Sequence, residues 1–310
     1  MAWWRIALCL LLLVPVAAVV VIVWRVLPLT DTSAGVIPPA ALTGVAPPTS
    51  TGGGSFAARL DESRAATRSI PGVSVAAGVV VDMGSGRVLW AHRPHARRAV
   101  ASLTKLMTAL LTARAGNLNA RFTVTPAMTG ELGYAIGLRA GSRVRVRDML
   151  AAMLIASAND AADALAVHRA GSVHGFVRMM NREAGKLHLS DTRYSNPSGI
   201  VDAGNHSSAW DIANLSRYVL ARASLRALVG AKQYQPAGGA APYVNRNTLL
   251  WNYPGAIGVK TGQTALAGNC LAAAAVRRGH TLIAVELGAR GEVFGSAERM
   301  LDWGFRRLRR

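Results

Sequence analysis

Residues 101–111 read ASLTKLMTALL and contain the only Ser-x-x-Lys sequence of the chain, from Ser102 to Lys105. Apolar residues recur every three or four positions here, which predicts a helix that begins near Ser102. Residues three apart share a helix face, so Lys105 would lie one turn from the Ser102 hydroxyl. A neutral lysine amine can take the proton of a serine and make it a nucleophile. Taken alone, the same letters also fit a capping serine followed by an exposed lysine.

A second short sequence, Ser157-Ala158-Asn159, follows an apolar helical pattern at about 147–155 and is the only Ser-x-Asn in the chain. Its ordinary interpretation is a capping serine between two helices. In an active site, the Ser157 hydroxyl would relay a proton to a leaving-group nitrogen, and the Asn159 amide would hold Lys105 and the substrate. In this second interpretation, Ser157 and Asn159 are catalytic residues alongside the Ser-x-x-Lys pair.

The third short sequence, Lys260-Thr261-Gly262, ends an apolar run that is typical of a β-strand. Its ordinary interpretation is an edge strand with a surface lysine. In an active site, Lys260 and Thr261 would bind a substrate carboxylate, and Gly262 would leave room for a peptide along the strand. The backbone N–H of Gln263 would pair with that of Ser102 to form an oxyanion hole. In this second interpretation, these four residues bind substrate.

The basic residues are almost all arginine: the chain has 31 arginines and only four lysines, namely Lys105, Lys186, Lys232 and Lys260. A buried ammonium can lose its proton near neutral pH, whereas a guanidinium cannot. Two of the four lysines fall within the three short sequences. This placement supports a chemical role for both of them.

The formal charge of +19 first suggests a nucleic-acid partner. The arginines are spread over the whole chain, however, and no nucleic-acid motif accompanies them, so we expect no such partner. A compositional bias towards arginine and attraction to anionic lipid or acidic wall polymers remain as explanations. With 310 residues, 51% of them hydrophobic, the chain can bury a sizeable core.

The three short sequences in this order are a signature of penicillin-binding proteins and class A β-lactamases. The chain resembles the low-molecular-mass penicillin-binding proteins, the serine D-alanyl-D-alanine carboxypeptidases, over about residues 70–305. Further segments carry the resemblance: Val80–Asp82, Gly86–Leu89, Ser102–Ala109, Ala156–Ala162, Phe176–Asn181, Asn196–Gly199, Gly258–Gly262, Ala267–Gly268 and Leu301–Phe305.

The resemblance implies an α/β (α+β) fold of the transpeptidase-like class, a mainly antiparallel sheet flanked by helical clusters. It implies removal of the terminal D-Ala from peptidoglycan stem pentapeptides and covalent acylation by β-lactam antibiotics, with no cofactor and no metal. It makes Ser102 the acylated nucleophile and Lys105 its proton acceptor, and it gives proton transfer or substrate positioning to Ser157, Asn159, Lys260 and Thr261. Val293 occupies the place of the carboxylate-binding arginine common in the family, and Arg290 lies nearby, which leaves the assignment of that arginine open.

Two other functions stay open as alternatives. A class A β-lactamase needs a glutamate about 35 residues past the Ser-x-Asn sequence, and residues 190–198 contain none. A catalytically silent wall-binding relative would have no need for Lys105. Neither a His-Glu-x-x-His metal site nor a Gly-x-Ser-x-Gly elbow is present in the sequence.

The N-terminal segment has an uninterrupted apolar run from Ile6 to Trp24, flanked by Arg5 and Arg25. Its length just spans a bilayer, which favours a signal anchor at residues 1–28 with the catalytic domain outside the membrane. A cleaved signal peptide and a secreted protein form the alternative. Proline, glycine, serine and threonine then predict a linker at 29–68, followed by a catalytic domain at 69–308.

Apolar periodicity predicts the remaining elements. Strands are expected near 73–81, 87–91, 256–261, 270–276 and 281–287, and helices near 147–155, 159–169, 172–187, 209–222 and 293–305. Strands at both ends of the domain with helices between them indicate one sheet built from N- and C-terminal segments.

Overall fold

The computed structural model describes residues 60–308, with the exception of residues 62, 64, 130–131 and 201–203. The predicted anchor at residues 6–24 and most of the predicted linker lie outside this range. Within the described part of the chain, no helix is both long and apolar enough to cross a membrane.

The described residues form nine strands and eight α-helices. The strands are β1 (Ala77–Asp82), β2 (Val88–His92), β3 (Arg121–Thr123), β4 (Arg143–Arg145), β5 (Gln233–Tyr234), β6 (Tyr243–Val244), β7 (Ala256–Thr264), β8 (Gly268–Arg277) and β9 (His280–Ala289). The helices are α1 (Lys105–Arg114), α2 (Val146–Ala151), α3 (Asn159–Ala170), α4 (Val173–Lys186), α5 (Ala209–Ala221), α6 (Ala223–Val229), α7 (Leu249–Asn252) and α8 (Val293–Arg307).

Five strands form one antiparallel sheet in the order β2-β1-β9-β8-β7, which joins the two ends of the domain as predicted. Successive side chains of a strand face opposite sides of the sheet. Val79 and Val81 of β1 accordingly pack into the helical cluster, whereas Val80 packs on the side of α8. The predicted α/β fold, with a mainly antiparallel sheet between helical clusters, is confirmed.

Helix α1 runs through the core of the helical cluster, and every one of its residues from Lys105 to Ala113 is buried. A helix that is buried on all sides can neither slide nor rotate without opening cavities, which are costly. The position of α1 therefore fixes the position of Lys105 at its first turn.

The structure differs from the sequence-based expectation at Ser102. This residue does not begin the α-helix, but lies in a 3-10 turn at Ala101–Thr104 that leads into α1. Ala101 has a φ of 48°, a conformation that costs a non-glycine residue roughly 1–3 kcal/mol. Surrounding contacts rather than local propensity must therefore hold this turn.

Packing also begins earlier in the chain than the predicted domain boundary at residue 69. Leu60 is buried in the core, and Asp61 and Ala66 form single bridges with Arg87 and Trp90. The last residues of the predicted linker thus run beside β2 as part of the folded domain.

Candidate active site

The fold brings the three short sequences together beside β7. The turn that carries Ser102 packs on β7, Ser157 follows a π-helical turn at Ala152–Ala156, and Asn159 is the first residue of α3. Lys260, Thr261 and Gly262 lie within β7 itself. The predicted site residues therefore share one cleft between the sheet and the helical cluster.

Lys105 lies at the centre of this cleft and is fully buried. Its Nζ is 2.9 Å from Ser102 Oγ, 2.7 Å from Asn159 Oδ1 and 2.7 Å from the backbone oxygen of Ser198. Three oxygens from three separate parts of the chain thus fix the amine against the serine hydroxyl. The amine is therefore within hydrogen-bond reach of the hydroxyl whose proton it would accept.

Lys260 is the second buried lysine of the cleft. Its Nζ donates to Ser157 Oγ at 3.0 Å and to the backbone oxygen of Thr261 at 2.9 Å. Burial, and then the positive charge of Arg246, lower the pKa of Lys260 to about 7. The amine therefore loses its proton more easily than an exposed lysine, and it is stabilised in its charged form when an anion arrives.

Ser157 has a φ of 69°, in the left-handed region, and ends the π-helical turn. This conformation aims its hydroxyl into the cleft towards Lys260. Strained backbone of this kind is often found at functional sites, where the surrounding structure holds it in place.

Gly262 allows β7 to approach the Ser102 turn closely. A Cβ at this position would lie 3.0 Å from the backbone nitrogen of Ser102 and 3.1 Å from the carbonyl oxygen of Val100. The backbone beyond Gly262, at Gln263, consequently runs next to the Ser102 N–H. The predicted oxyanion hole needs such a close approach of the two segments.

β7 is the outer strand of the sheet, with β8 as its only partner strand among the described residues. An edge strand presents unpaired backbone N–H and C=O groups to which an extended peptide can add. A cavity of about 440 Å³ adjoins it on the Gln263 side of the Ser102 turn, with mostly apolar walls that include Val100, Ile200 and Leu266.

A loop that sequence reasoning missed holds Asn159 in place. The Asn159 amide donates to the carbonyl oxygen of Leu132 at 2.6 Å, and its backbone N–H donates to that of Tyr134 at 2.8 Å. The next residue, Asp160, accepts backbone N–H groups of Ile136 and Leu138. The amide oxygen of Asn159 is thereby left to face Lys105.

The carbonyl of Ser198 is the second component that was missed. The Asn196 side chain accepts the N–H groups of Ser198 and Gly199, and Thr108 of α1 donates to the carbonyl of Pro197 at 2.8 Å. Asn196–Gly199 had been singled out only as a family-like segment, because a backbone oxygen leaves no direct trace in a sequence.

Arg246 is the third component of the site that sequence reasoning missed. Its guanidinium lies 4.4 Å from the centre of the Tyr134 ring, close enough for a cation–π interaction, and its charge acts on Lys260. Arg246 is therefore a candidate for the carboxylate-binding arginine, whose place in the family is occupied by Val293 in this chain. Arg290 is exposed at the end of β9.

Residues 64–291 match the family described as D-alanyl-D-alanine carboxypeptidase. The chain is 35% identical over 237 residues to DacF of Bacillus subtilis, which covers 73% of this chain and 61% of that protein. It is 37% identical over 253 residues to DacD of Escherichia coli, and this match covers 76% of this chain and 64% of DacD. The chain therefore spans a little over three fifths of the length of these curated relatives.

Solved structures agree with this result. The D-alanyl-D-alanine carboxypeptidase from Mycobacterium tuberculosis superposes with a TM-score of 0.73 at 28% identity, covering 78% of this chain and 95% of that one. Penicillin-binding protein 6B from Escherichia coli superposes with a TM-score of 0.72 at 35% identity, and the match covers 77% of this chain and 80% of that one. The fold, the three short sequences and these matches agree: the chain belongs to the D-alanyl-D-alanine carboxypeptidase family.

Proposed function

We propose that this protein removes the terminal D-Ala from peptidoglycan stem peptides through an acyl-enzyme on Ser102. The observation that carries the proposal is the position of Lys105, whose Nζ is 2.9 Å from Ser102 Oγ in a fully buried setting. A general base within hydrogen-bond distance of the nucleophile is the first geometric requirement of this chemistry.

Acylation begins when Ser102 Oγ attacks the carbonyl carbon of the penultimate D-Ala. The serine proton passes to Lys105 Nζ, and a C–O bond replaces the carbonyl π bond. The oxyanion that results is bound by the N–H groups of Ser102 and Gln263. Loss of one oxyanion-hole donor usually costs about a hundredfold to a thousandfold in rate.

Collapse of this intermediate breaks the C–N bond and expels the terminal D-Ala. Its nitrogen needs a proton, which Lys105 returns through the Ser157 hydroxyl. The carboxylate of the leaving D-Ala is bound by Lys260 and Thr261. A water molecule then attacks the ester carbonyl, and Lys105 accepts the water proton. Collapse of this second intermediate breaks the C–O bond to Ser102, and Lys105 returns the proton to Ser102 Oγ.

The remainder of the stem peptide pairs with the free edge of β7 and extends into the 440 Å³ cavity beyond Gln263. A β-lactam would acylate the same serine, because its cyclic amide places a carbonyl and a carboxylate at a similar spacing. Its leaving nitrogen stays tethered to the acyl group, which hinders the entry of water and prolongs the adduct.

The apolar run from Ile6 to Trp24 is proposed to anchor the protein in the cell membrane, with the catalytic domain on the outer side where peptidoglycan lies. A cleaved signal peptide would release the domain instead. Fractionation of membranes, with mass measurement of the mature N-terminus, separates these outcomes.

Replacement Ser102→Ala tests the nucleophile. The variant should lose all covalent labelling by a fluorescent penicillin and all release of D-Ala from a D-Ala-D-Ala peptide, while it stays folded. Ser224→Ala on α6 removes a hydroxyl elsewhere and should label normally. Labelling that persists in the Ser102 variant would exclude this serine as the nucleophile.

Mass spectrometry of the wild-type protein with the same peptide distinguishes the remaining functions. A shortened peptide plus free D-Ala indicates a carboxypeptidase, a cross-linked product a transpeptidase, and an unchanged peptide a silent relative. Rapid release of hydrolysed penicillin, instead of a long-lived adduct, would favour the β-lactamase alternative.

A further inference from the structure

Three arginines share one face of the short β3–β4 ribbon. Arg121 lies directly opposite Arg145, and Arg143 is two residues before Arg145 on the same face. On the other face, Phe122 is buried in the core and Val144 packs against it. Like charges directly opposite each other destabilise a β-ribbon, so this arrangement is not explained by stability.

Only one of the three arginines is neutralised by a described residue. Arg145 forms an ion pair with Asp148 at 2.9 Å, and that carboxylate also accepts the hydroxyl of Tyr234 at 2.7 Å. Arg121 and Arg143 are exposed, and among the described residues neither has an acidic partner within 4.0 Å. Two positive charges are therefore available to an anion.

The arginines open into a concave space. A cavity of about 600 Å³ is lined by all three, by Asp148 that pairs with Arg145, by Tyr134 and Tyr243, and by the turn at 236–242 between β5 and β6. Prolines and alanines of that turn supply an apolar wall. The cavity, which we call the basic pocket, therefore combines positive charge with flat and apolar surfaces, as a peptide with carboxylates would require.

The basic pocket shares a wall with the catalytic cleft. Tyr134 lines the pocket, its carbonyl accepts the N–H of Asn159, and its ring lies beneath Arg246. Ile136 of the same loop also lines the pocket, and its N–H is held by Asp160. A polymer bound in the cleft can thus continue into the basic pocket around one short loop.

We propose that the basic pocket binds carboxylates of peptidoglycan outside the stem peptide that is being cleaved, such as those of a neighbouring stem. This inference rests on the proposed function. A peptide strand fits a concave pocket that continues from the cleft, whereas a lipid surface would need a convex or flat basic face. The pocket therefore favours polymeric substrate over short peptides.

The double variant R121Q/R143Q tests the inference against a control that removes equal charge, R178Q/R182Q on the exposed face of α4. We expect the pocket variant to lower kcat/KM on uncrosslinked peptidoglycan by about fivefold or more. On a short N-acetylated D-Ala-D-Ala peptide it should match wild type within about twofold. The control should match wild type on both substrates.

Salt supplies a second readout, because screening weakens contacts between exposed charges. Turnover of the polymer by wild type should fall with ionic strength more steeply than turnover by the pocket variant. Equal losses on polymer and short peptide, or no loss on the polymer, would overturn the inference. So would unchanged polymer turnover together with lost binding to anionic lipid vesicles, which would assign the arginines to a membrane.

Co-sedimentation with insoluble peptidoglycan measures the pocket without any turnover. R121Q/R143Q should bind less polymer than R178Q/R182Q, and equal binding contradicts the inference. The wild-type protein could turn over neither substrate while R121Q/R143Q still binds less polymer than R178Q/R182Q. That result would refute the proposed function but support the basic pocket as a binding site.

Discussion

The two buried lysines of the cleft stand in different surroundings. Lys105 Nζ lies within 2.9 Å of three oxygens that come from separate parts of the chain. Lys260 Nζ contacts one side-chain oxygen and the carbonyl of its own neighbour, and the nearby charge of Arg246 is repulsive. The hydrogen bonds of Lys105 Nζ are made by the protein itself, whereas Lys260 Nζ contacts neutral oxygens and would be stabilised by an anionic ligand.

This difference separates two tasks that a lysine can perform. A proton acceptor must be held in one orientation before the substrate arrives, because preorganisation lowers the cost of reaching the transition state. A carboxylate-binding group instead gains from being left without an anionic partner, since the substrate then supplies it. Substitutions on the Lys105 side should therefore reduce the chemical step, and those on the Lys260 side should change substrate binding and pH dependence.

The largest effect is expected for Lys105→Arg. A guanidinium keeps the positive charge but cannot lose its proton, so it cannot accept the proton of Ser102. Acylation by penicillin and kcat/KM for the peptide should fall by about a hundredfold or more, in keeping with the usual size of general-base effects. Retention of more than about a tenth of wild-type activity would show that Lys105 is not the base.

A matched control comes from the same residue type at the surface. Lys186 lies in the last turn of α4 and is exposed, so Lys186→Arg should leave both rates unchanged. Thermal unfolding of both variants shows whether Lys105→Arg also disturbs the core, since its larger side chain must fit a fully buried position.

A smaller effect is expected for Asn159→Ala. The change removes the 2.7 Å bond to Lys105 and the 2.6 Å bond to the carbonyl of Leu132. Asn159 would stabilise the ammonium that forms when Lys105 takes the serine proton, and a hydrogen bond to a charged group contributes about 1.5–3 kcal/mol, or about a tenfold to hundredfold loss in kcat. KM should change less than kcat, and a pure KM effect measured at steady state would assign Asn159 to substrate binding alone.

Much of this site was predictable from the sequence because its side chains belong to motifs on regular elements. The apolar runs near 256–261 and 281–287 predicted β7 and β9. Lys260, Thr261 and Gly262 then lie on the edge strand β7. The apolar spacing predicted the helix α1 and its apolar face, but not that all of its sides are buried. Reactive side chains on such elements are placed by the pattern of the core, which a sequence records.

The components that were missed depend on tertiary contacts. The carbonyl of Ser198 acts through its backbone, so any residue type could have occupied its position. Arg246 gave no signal, because one arginine among 31 is inconspicuous. The left-handed conformation of Ser157 and the 3-10 turn at Ser102 are held by neighbouring segments, and local propensity favoured plain helix starts.

The smallest effect is expected for Arg246→Gln, which would sharpen the contrast between the two lysines. Lys260 must carry a proton to bind a carboxylate, so wild-type kcat/KM should decline as the pH rises through about 7, the pKa of Lys260. Burial is the main cause of that low pKa and the charge of Arg246 the second, so the variant should raise the pKa of Lys260 only part of the way towards its ordinary value. The alkaline decline should then move to higher pH, with little change at acidic pH, where Lys260 is protonated in both proteins. Arg246→Lys should restore the wild-type profile.

An equal loss of kcat/KM at every pH would instead mean that Arg246 contacts the substrate directly. An alkaline decline at the same pH as in wild type would mean that a group other than Lys260 causes that decline.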